Sequence, residues 1–170
     1  MSLLIINISS DCGSKIQDTI SMLTKSIPEH RVINASSLNI HPCTGCCTCM
    51  LVTPGQCCIQ DDFEENLKAC LCYEHILFVA DTALGFINHK AKNLIDRMFP
   101  LVNILTRFHD GQILHIPRYE HSFQMTLIYN GNADHEFLTT WLDRFGKNMT
   151  AQPLGVFSIQ DIQEVLKCIL

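Results

Sequence analysis

The chain has 170 residues, of which 47% are hydrophobic and only 17% are charged, and its formal net charge is −5 at pH 7. This composition excludes an intrinsically disordered chain, which would combine low hydrophobicity with high net charge. The lack of any cluster of Lys or Arg argues against a nucleic-acid surface, which needs a basic stripe to neutralise phosphates. No apolar run approaches the roughly 20 residues that span a bilayer, so we expect neither nucleic acid nor a membrane as a partner.

Ten cysteines are present, and the expected compartment decides how they are interpreted. The first ten residues, MSLLIINISS, lack the basic region and cleavage site of a secretory signal and instead predict a strand. We therefore expect a cytoplasmic protein, whose thiols stay reduced and are available for metal or redox chemistry. The length predicts a single domain over residues 1–170, and the shortage of charged residues favours a buried subunit interface.

Short apolar strands alternate with amphipathic helices along the chain. Residues 3–8 have the apolar character of a strand buried on both faces, and Ile16, Ile20 and Leu23 recur at helical spacing. The third helix of the series is expected to bend before Pro100. In chain order the predicted elements are strand 3–8, helix 15–27, strand 31–35, helix 63–72, strand 75–80, loop 81–88, helix 89–106, strand 123–129, helix 134–148, strand 155–158 and helix 159–169.

This alternation predicts an α/β protein. Apolar strands joined through helices form a parallel sheet with right-handed crossovers and helices on both faces. Five such units in 170 residues fit a flavodoxin-like three-layer sandwich, with a five-stranded parallel sheet of order 2-1-3-4-5. Ligands of such folds bind beyond the carboxyl ends of the strands, so the loops at residues 9–14, 81–88 and 130–134 are expected to line the site.

Six of the ten cysteines fall in the segment 41–62, which reads HPCTGCCTCMLVTPGQCCIQDD. Cys43, Cys46, Cys49 and Cys57 form the pattern C-x2-C-x2-C-x7-C in a turn-rich stretch that allows four sulfurs to converge. A [4Fe-4S] cluster takes four thiolates, three of which can come from a tight C-x2-C-x2-C run. Structural zinc usually takes its thiolates from two separated C-x2-C knuckles. Reduced thiols that act as small apolar fillers are the third interpretation.

Three stretches resemble the family of NAD(P)H-dependent FMN reductases and iron-sulfur flavoproteins. Residues 7–14 resemble the phosphate loop N-G-S-x-R-x-G-N/S, and residues 40–49 with Cys57 resemble the segment I-x-P-C-x-G-C-x-x-C. Residues 92–101, KNLIDRMFPL, resemble K-x-F-I-D-R. The resemblance implies a flavodoxin-like fold, bound FMN, NAD(P)H as electron donor, and a homodimer or homotetramer with the flavin near the subunit interface.

The resemblance also implies which residues bind the cofactors. The first loop would hold the FMN phosphate through hydroxyl and backbone N–H groups, and the other two loops would line the ring. No acid or base is expected, because the flavin ring itself accepts the hydride or the electrons. The implied flavin ligands are Ser9, Ser10, Gly13, Ser14, Thr82, Ala83, Leu84, Gly85, Asn130, Gly131 and Asn132. The implied ligands of a [4Fe-4S] cluster, which would exchange single electrons with the flavin, are Cys43, Cys46, Cys49 and Cys57.

The chain departs from the family in both main flavin loops. Where the family has G-S-P-R, this chain has Ile8, Ser9, Ser10 and Asp11, so an acid replaces a base beside the phosphate. The second loop of the family often reads S-P-V-Y-x-G, whereas only Gly85 is kept here and the aromatic residue is absent. These departures favour a second hypothesis, a degenerate flavodoxin-like protein without flavin that acts as an interaction or assembly module.

The remaining polar and sulfur-containing residues have structural interpretations. Asp96 and Arg97 are expected to form an ion pair, and Trp141, at helical spacing from neighbouring apolar residues, is expected in the core or an interface. Four histidines lack the partner spacing of a ligand or base, namely His41, His75, His89 and His115. Three cysteines in predicted helices are expected to fill the core, namely Cys70, Cys72 and Cys168.

Overall fold

The fold is described by a computed structural model, which covers residues 1–10 and 13–170. Its strands are β1 (Leu3–Asn7), β2 (His30–Asn34), β3 (His75–Ala83), β4 (Phe86–Ile87), β5 (Val102–His109), β6 (Gln112–Pro117), β7 (Gln124–Asn130) and β8 (Gln152–Ser158). Its helices are α1 (Ser14–Ser26), α2 (Thr48–Leu51), α3 (Phe63–Ala69), α4 (His89–Asp96), α5 (His135–Met149) and α6 (Ile162–Ile169).

The central sheet has the strand order β2-β1-β3-β7-β8, and all of these neighbours pair in parallel. This order is the 2-1-3-4-5 order that the sequence predicts, so the flavodoxin-like fold class is confirmed. Because the strands are parallel, the ends of β1, β3 and β7 lie at one edge of the sheet. That edge is where ligands bind in this architecture.

Apolar side chains cover both faces of the sheet. Alternate residues of β1 point to opposite faces, so Leu3 and Ile5 pack with α1 and α6, whereas Leu4 and Ile6 pack with α3, α4 and α5. All four of these side chains are at most 1% exposed. The sheet is therefore the middle layer of three, which explains why its strands read as continuous apolar runs.

The predicted helix at residues 89–106 is wrong in its second half. Helix α4 ends at Asp96, a 3-10 turn follows at Phe99–Leu101, and β5 and β6 then form an antiparallel hairpin. Pro100 lacks the N–H that an α-helix needs, and the chain turns between β5 and β6 at Asp110 and Gly111, whose φ angles are 48° and 75°. An Asp-Gly pair between apolar runs is the hairpin signal that could have predicted this element.

The predicted loop at residues 81–88 is also ordered as a hairpin. Strand β3 continues to Ala83 and pairs antiparallel with β4, with Leu84 and Gly85 at the turn. Both turn residues have positive φ, 53° for Leu84 and 81° for Gly85. The Leu84 side chain is fully exposed. A leucine in the left-handed region is uncommon, because its Cβ crowds the backbone there.

The three cysteines assigned to the core behave differently from one another. Cys70 is buried, as predicted, with a relative exposure of 2%, and burial raises the pKa of its thiol to about 12. Cys72 and Cys168 are exposed, so the prediction is wrong for both. Helix α3 ends at Ala69, which leaves Cys72 outside it, and Cys168 lies on the outer side of α6.

A bilayer requires a spanning helix to be both long and hydrophobic. Among the described residues, none of the helices is both long and apolar enough to span a membrane.

Candidate functional site

The Asp81 carboxylate is the centre of the polar network at the ligand-binding edge of the sheet. The Ser9 hydroxyl donates to one carboxylate oxygen, which also accepts from Asn130 Nδ2 at 3.0 Å. Ser10 donates to the other oxygen through its backbone N–H at 2.7 Å and its hydroxyl at 3.1 Å. The ends of β1, β3 and β7 are thus joined through one acidic side chain.

These hydrogen bonds also determine the charge of Asp81. Its burial opposes ionisation and would raise the pKa of the carboxyl, but the donors on Ser9, Asn130 and Ser10 outweigh that effect and lower the pKa below its usual value. Among the described residues Asp81 forms no salt bridge, so neutral donors alone hold the negative charge. Several hydrogen-bond donors that converge on one carboxylate form a site that can bind an anion.

The two ring-lining loops of the sequence prediction contact each other. Thr82 Oγ1 donates to the Asn130 carbonyl at 3.2 Å, and the Asp134 N–H donates to the Gly85 carbonyl at 2.8 Å. A Cβ on Gly131 would lie only 2.5 Å from Thr82 Oγ1, and its φ of +116° also disfavours other residues. The sequence therefore needs glycine here for the loops after β3 and β7 to meet.

The predicted flavin ligands are brought to this edge to different degrees. Ser9, Ser10 and Asn130 share Asp81, and Gly13 directly precedes the first residue of α1, Ser14. Thr82, Gly85 and Gly131 belong to the loop contact, whereas Ala83, Leu84 and Asn132 are exposed to solvent. Asp11, the acid expected to repel a phosphate, lies outside the described residues, as does Cys12. Sequence reasoning did not identify Asp81, although an acid directly after the buried run HILFVA was a usable signal.

A second polar centre closes the base of the cysteine segment, residues 41–61, which we call the cysteine loop. The Asn39 N–H donates to the Asp62 carboxylate at 2.8 Å, and the Asp62 N–H donates back to the Asn39 carbonyl at 3.3 Å. Next to this pair of bonds, on the side of the cysteines, the His41 N–H donates to the Asp61 carboxylate at 2.8 Å. The two ends of the loop are therefore fixed side by side.

Arg97 is the buried cation beneath this closure. It is 2% exposed and binds the Asp61 carboxylate through both terminal nitrogens, at 2.9 and 3.1 Å. It also donates to the carbonyl of His41 at 2.7 Å and to that of Ile59 at 3.4 Å, and its guanidinium lies 4.7 Å from the centre of the Phe63 ring. One side chain thus holds both ends of the cysteine loop.

The predicted ion pair between Asp96 and Arg97 is wrong. Arg97 pairs with Asp61, and Asp96 pairs with Lys92 one helical turn before it. Adjacent residues of a helix point about 100° apart and do not face each other, whereas residues four apart do. Burial alone would raise the pKa of the Asp61 carboxyl. The hydrogen bonds from Arg97, His41 and Phe63 outweigh that effect, so the pKa lies below its usual value. Asp61 therefore stays ionised beside its partner.

Within the cysteine loop one pair of sulfurs is in contact, and only one of its two cysteines belongs to the predicted ligand set. The Sγ atoms of Cys46 and Cys58 are 3.5 Å apart, and Cys58 is not one of the four predicted ligands. Burial and the nearby thiols of Cys57, Cys43 and Cys46 raise the pKa of Cys49. In the part of the chain that the structure describes, no group of three or more His, Cys, Asp or Glu side chains is arranged to hold a metal ion.

An apolar surface lies between the β5–β6 hairpin and α5. Trp141 stacks on Phe145 at 5.7 Å and contacts Phe86 edge-on at 5.1 Å. Trp141 and Phe145 line a cavity of about 440 Å³ together with Ile113 and His115 of the hairpin. The expectation that Trp141 belongs to the core or an interface agrees with this half-buried position.

Comparison with known proteins identifies the fold and no family. No family model matches the chain, and no curated protein matches its sequence. Among solved structures, an NAD(P)H:quinone oxidoreductase from Methanothermobacter marburgensis has a TM-score of 0.62 at 11% identity, over 98% of this chain and 91% of that one. RosB, with bound 8-demethyl-8-formylriboflavin-5'-phosphate, has a TM-score of 0.62 at 12% sequence identity. The match covers 93% of this chain, but this chain spans only 64% of RosB. The NADH:FMN oxidoreductase EMOB in its apo form has a TM-score of 0.54 at 12% sequence identity, over 97% of this chain and 83% of EMOB.

Proposed function

We propose that the chain is an FMN-dependent oxidoreductase that takes electrons from NAD(P)H, and that residues 1–170 act as one domain in a reducing cytoplasm. The observation that carries the proposal is the convergence of donors from the ends of β1 and β7 on the Asp81 carboxylate. This convergence lies at the edge of the sheet where flavodoxin-like folds bind ligands. Structural neighbours named as NAD(P)H:quinone and NADH:FMN oxidoreductases support the same class of activity.

The donors around Asp81 fit the phosphate of FMN in kind and number. Hydroxyl, amide and backbone N–H groups already hold two anionic oxygens, and a phosphate offers acceptors of the same type. Helix α1 begins at Ser14 at the same edge, so its N-terminal N–H groups favour an anion there. The FMN phosphate would therefore compete with Asp81 for Ser9 and Ser10, while Gly13 and Ser14 would add the helix terminus.

The ring of the flavin would lie against the two loops that contact each other. When bound, FMN supplies a ring that accepts hydride or electrons. The contact between Thr82 and Asn130 fixes the spacing of these loops, and Gly131 allows their close approach. The residues that would line the ring are Thr82, Ala83, Leu84, Gly85, Asn130, Gly131 and Asn132.

A fluorescence titration with FMN tests this proposal, because binding quenches or shifts flavin emission. We expect saturable binding, followed by bleaching of the flavin absorbance when NADH or NADPH is added without oxygen. Riboflavin, which lacks the phosphate, is the matched control ligand and is expected to bind at least about tenfold more weakly, a difference of about 1.4 kcal/mol. Equal affinities would contradict the phosphate site, and no binding of either ligand would reject the flavin function.

The [4Fe-4S] cluster at Cys43, Cys46, Cys49 and Cys57 stays a prediction from their spacing. The described thiols are not grouped as a metal site, so the cluster rests on the spacing of the cysteines alone. Iron and sulfide analysis of protein purified without oxygen tests the prediction. Iron-free protein with titratable thiols would reject the cluster, and one zinc ion per chain would favour the structural-zinc interpretation.

The second candidate function, an interaction or assembly module without flavin, is favoured by the β5–β6 hairpin. Leu105, Phe108 and Ile113 on this hairpin are 60%, 77% and 71% exposed. Phe108 and Ile113 are cross-strand partners, and Leu105 lies on the same hairpin. Exposed apolar side chains are typical of interfaces, and we propose that this hairpin joins two copies in a homodimer or contributes to a homotetramer.

Light scattering after size exclusion tests the hairpin interface. Phe108→Ser combined with Leu105→Ser is expected to give a monomer at concentrations where the unchanged chain is oligomeric. Val52→Ser is the matched control, since Val52 is equally exposed, at 74%, but lies in the cysteine loop. A double variant that stays oligomeric would reject the hairpin as the interface. Oligomers that bind no FMN would make the module the better description.

A further inference from the structure

One sulfur pair in the cysteine loop joins a predicted metal ligand to a cysteine outside the predicted set. Cys46 Sγ lies 3.5 Å from Cys58 Sγ, and both residues are exposed. A disulfide bond has a sulfur separation of about 2.05 Å, so the two sulfurs need to approach by only about 1.5 Å to form it. The arrangement is that of a dithiol pair at the surface.

The backbone of the loop explains why these two residues meet. Cys47 has a left-handed conformation, with φ of 56°, which turns the chain directly after Cys46 and precedes α2. After α2 a turn reverses the chain, with the Gly55 N–H donating to the Cys49 carbonyl at 3.0 Å. The chain then returns to Cys58 beside Cys46.

The closed base of the loop limits how far the two thiols can separate. The buried pair of Arg97 and Asp61 fixes both ends, and Asp61 lies only three positions after Cys58. The chain between Cys46 and Cys58 therefore loses much of its conformational entropy when the protein folds, before a disulfide forms. A pair held in this way oxidises more readily than two thiols on free segments.

We propose that Cys46 and Cys58 form a redox-active dithiol that exchanges with small-molecule disulfides. One of the two thiolates attacks a sulfur of the small disulfide, whose S–S bond breaks and releases one thiolate. The other cysteine, after losing its proton to solvent, attacks the protein sulfur of the mixed disulfide and releases the second thiolate. The chain loses two electrons and two protons in total, and the small disulfide becomes two thiols.

This proposal does not depend on the proposed flavin function. It concerns the thiols alone, and a metal ion bound through Cys46 would exclude the disulfide while it stays bound. The full chain is therefore treated with a chelator before the test, and its iron and zinc are measured in the same sample. A failure of the dithiol and a failure of the flavin site then give separate results, since FMN binding is measured independently.

The test equilibrates the full chain in mixtures of oxidised and reduced glutathione, quenches with acid, alkylates the free thiols and maps disulfides by mass spectrometry. We expect a single Cys46–Cys58 disulfide and a loss of about two free thiols per chain, reversed by excess reduced glutathione. Cys58→Ser and Cys46→Ser should each abolish it. Cys47→Ser is the matched control, because Cys47 is also exposed and adjacent in sequence, and it should leave the disulfide unchanged.

Two results would overturn the proposal. The first is a chain that, free of metal, forms no disulfide anywhere in the glutathione range. The second is a disulfide that links other cysteines, including a switch of Cys46 to Cys57 in the Cys58→Ser variant at equal yield. The mapping of the unchanged chain decides between these outcomes even if a variant does not fold.

Discussion

The edge of the sheet that carries Asp81 and the base of the cysteine loop are each organised by one aspartate, but of these two, within residues 1–10 and 13–170, only Asp61 has a cationic partner. Asp61 is paired with Arg97, and both side chains are 1% exposed. Asp81 is half-buried and is held by the neutral donors of Ser9, Ser10 and Asn130. A buried ion pair such as that of Asp61 and Arg97 fixes the structure around it. Neutral donors such as those around Asp81 can instead form hydrogen bonds to another anion.

The largest effect is expected from breaking the pair beneath the cysteine loop. Arg97→Met leaves the Asp61 carboxylate buried without a partner, which costs about 3–5 kcal/mol of the free energy of unfolding. Urea denaturation followed by circular dichroism measures this loss. Arg107→Met, an exposed arginine on β5, is the control and should change stability by less than about 0.5 kcal/mol. A loss below about 1 kcal/mol for Arg97→Met would contradict a structural role for the pair.

The next effect concerns the amino end of β3, opposite the end that carries Asp81. His75 is completely buried, its Nε2 pairs with Thr126 Oγ1 at 2.9 Å, and burial lowers its pKa from 6.5 to about 4. The unfolded chain then binds more protons than the folded chain between these values, so stability falls as the pH drops from about 6.5 to about 4. The loss amounts to about 3 kcal/mol at the lower limit.

Urea denaturation at a series of pH values measures this dependence. In His75→Gln the group that titrates is gone, so the decline between pH 6.5 and 4 should flatten. His89→Gln, on the exposed start of α4, is the control and should keep the decline. An unchanged slope in His75→Gln would mean that another group, and not His75, causes the pH dependence.

A smaller effect tests the contact between the loops after β3 and β7. Gly131→Ala places a Cβ 2.5 Å from Thr82 Oγ1, whereas Gly45→Ala meets no atom within 4 Å, and both glycines have positive φ. The φ of Gly131, +116°, is less tolerant of a side chain than the φ of Gly45, +67°, so the difference reports the clash together with this extra backbone strain. We expect Gly131→Ala to lose about 1–3 kcal/mol more than Gly45→Ala in urea denaturation. Equal losses would show that the loops after β3 and β7 are not in tight contact.

The order of the central strands could be predicted from sequence because each strand is a short apolar run followed by a helix. The β5–β6 hairpin could not be found in this way, because Leu101, Val102 and Leu105 also fit helical spacing and Pro100 suggested a bend. Asp110 with Gly111 was the local signal for the hairpin. Periodicity alone does not separate a short amphipathic helix from an edge hairpin.

The partners of the two aspartates were beyond sequence reasoning for a different reason. Ser9 and Asp81 are 72 positions apart, and Asp61 and Arg97 are 36 apart, so only the strand order brings them together. The motif around Arg97 pointed to a structural ion pair but to the wrong partner, Asp96. Likewise, the spacing of the cysteines predicted that their sulfurs come close, but not that Cys46 would lie 3.5 Å from Cys58.

The affinity of the Asp81→Asn variant for FMN tests the central claim most directly. Removing the charge frees the donors for the phosphate and ends the repulsion, so we expect binding at least about tenfold tighter than in the unchanged chain, which is about 1.4 kcal/mol. Asp143→Asn, an exposed acid on α5 paired with Lys147, alters the net charge equally and should leave the affinity unchanged. Weaker or equal binding in Asp81→Asn would contradict the account of Asp81 as the occupant of a phosphate site.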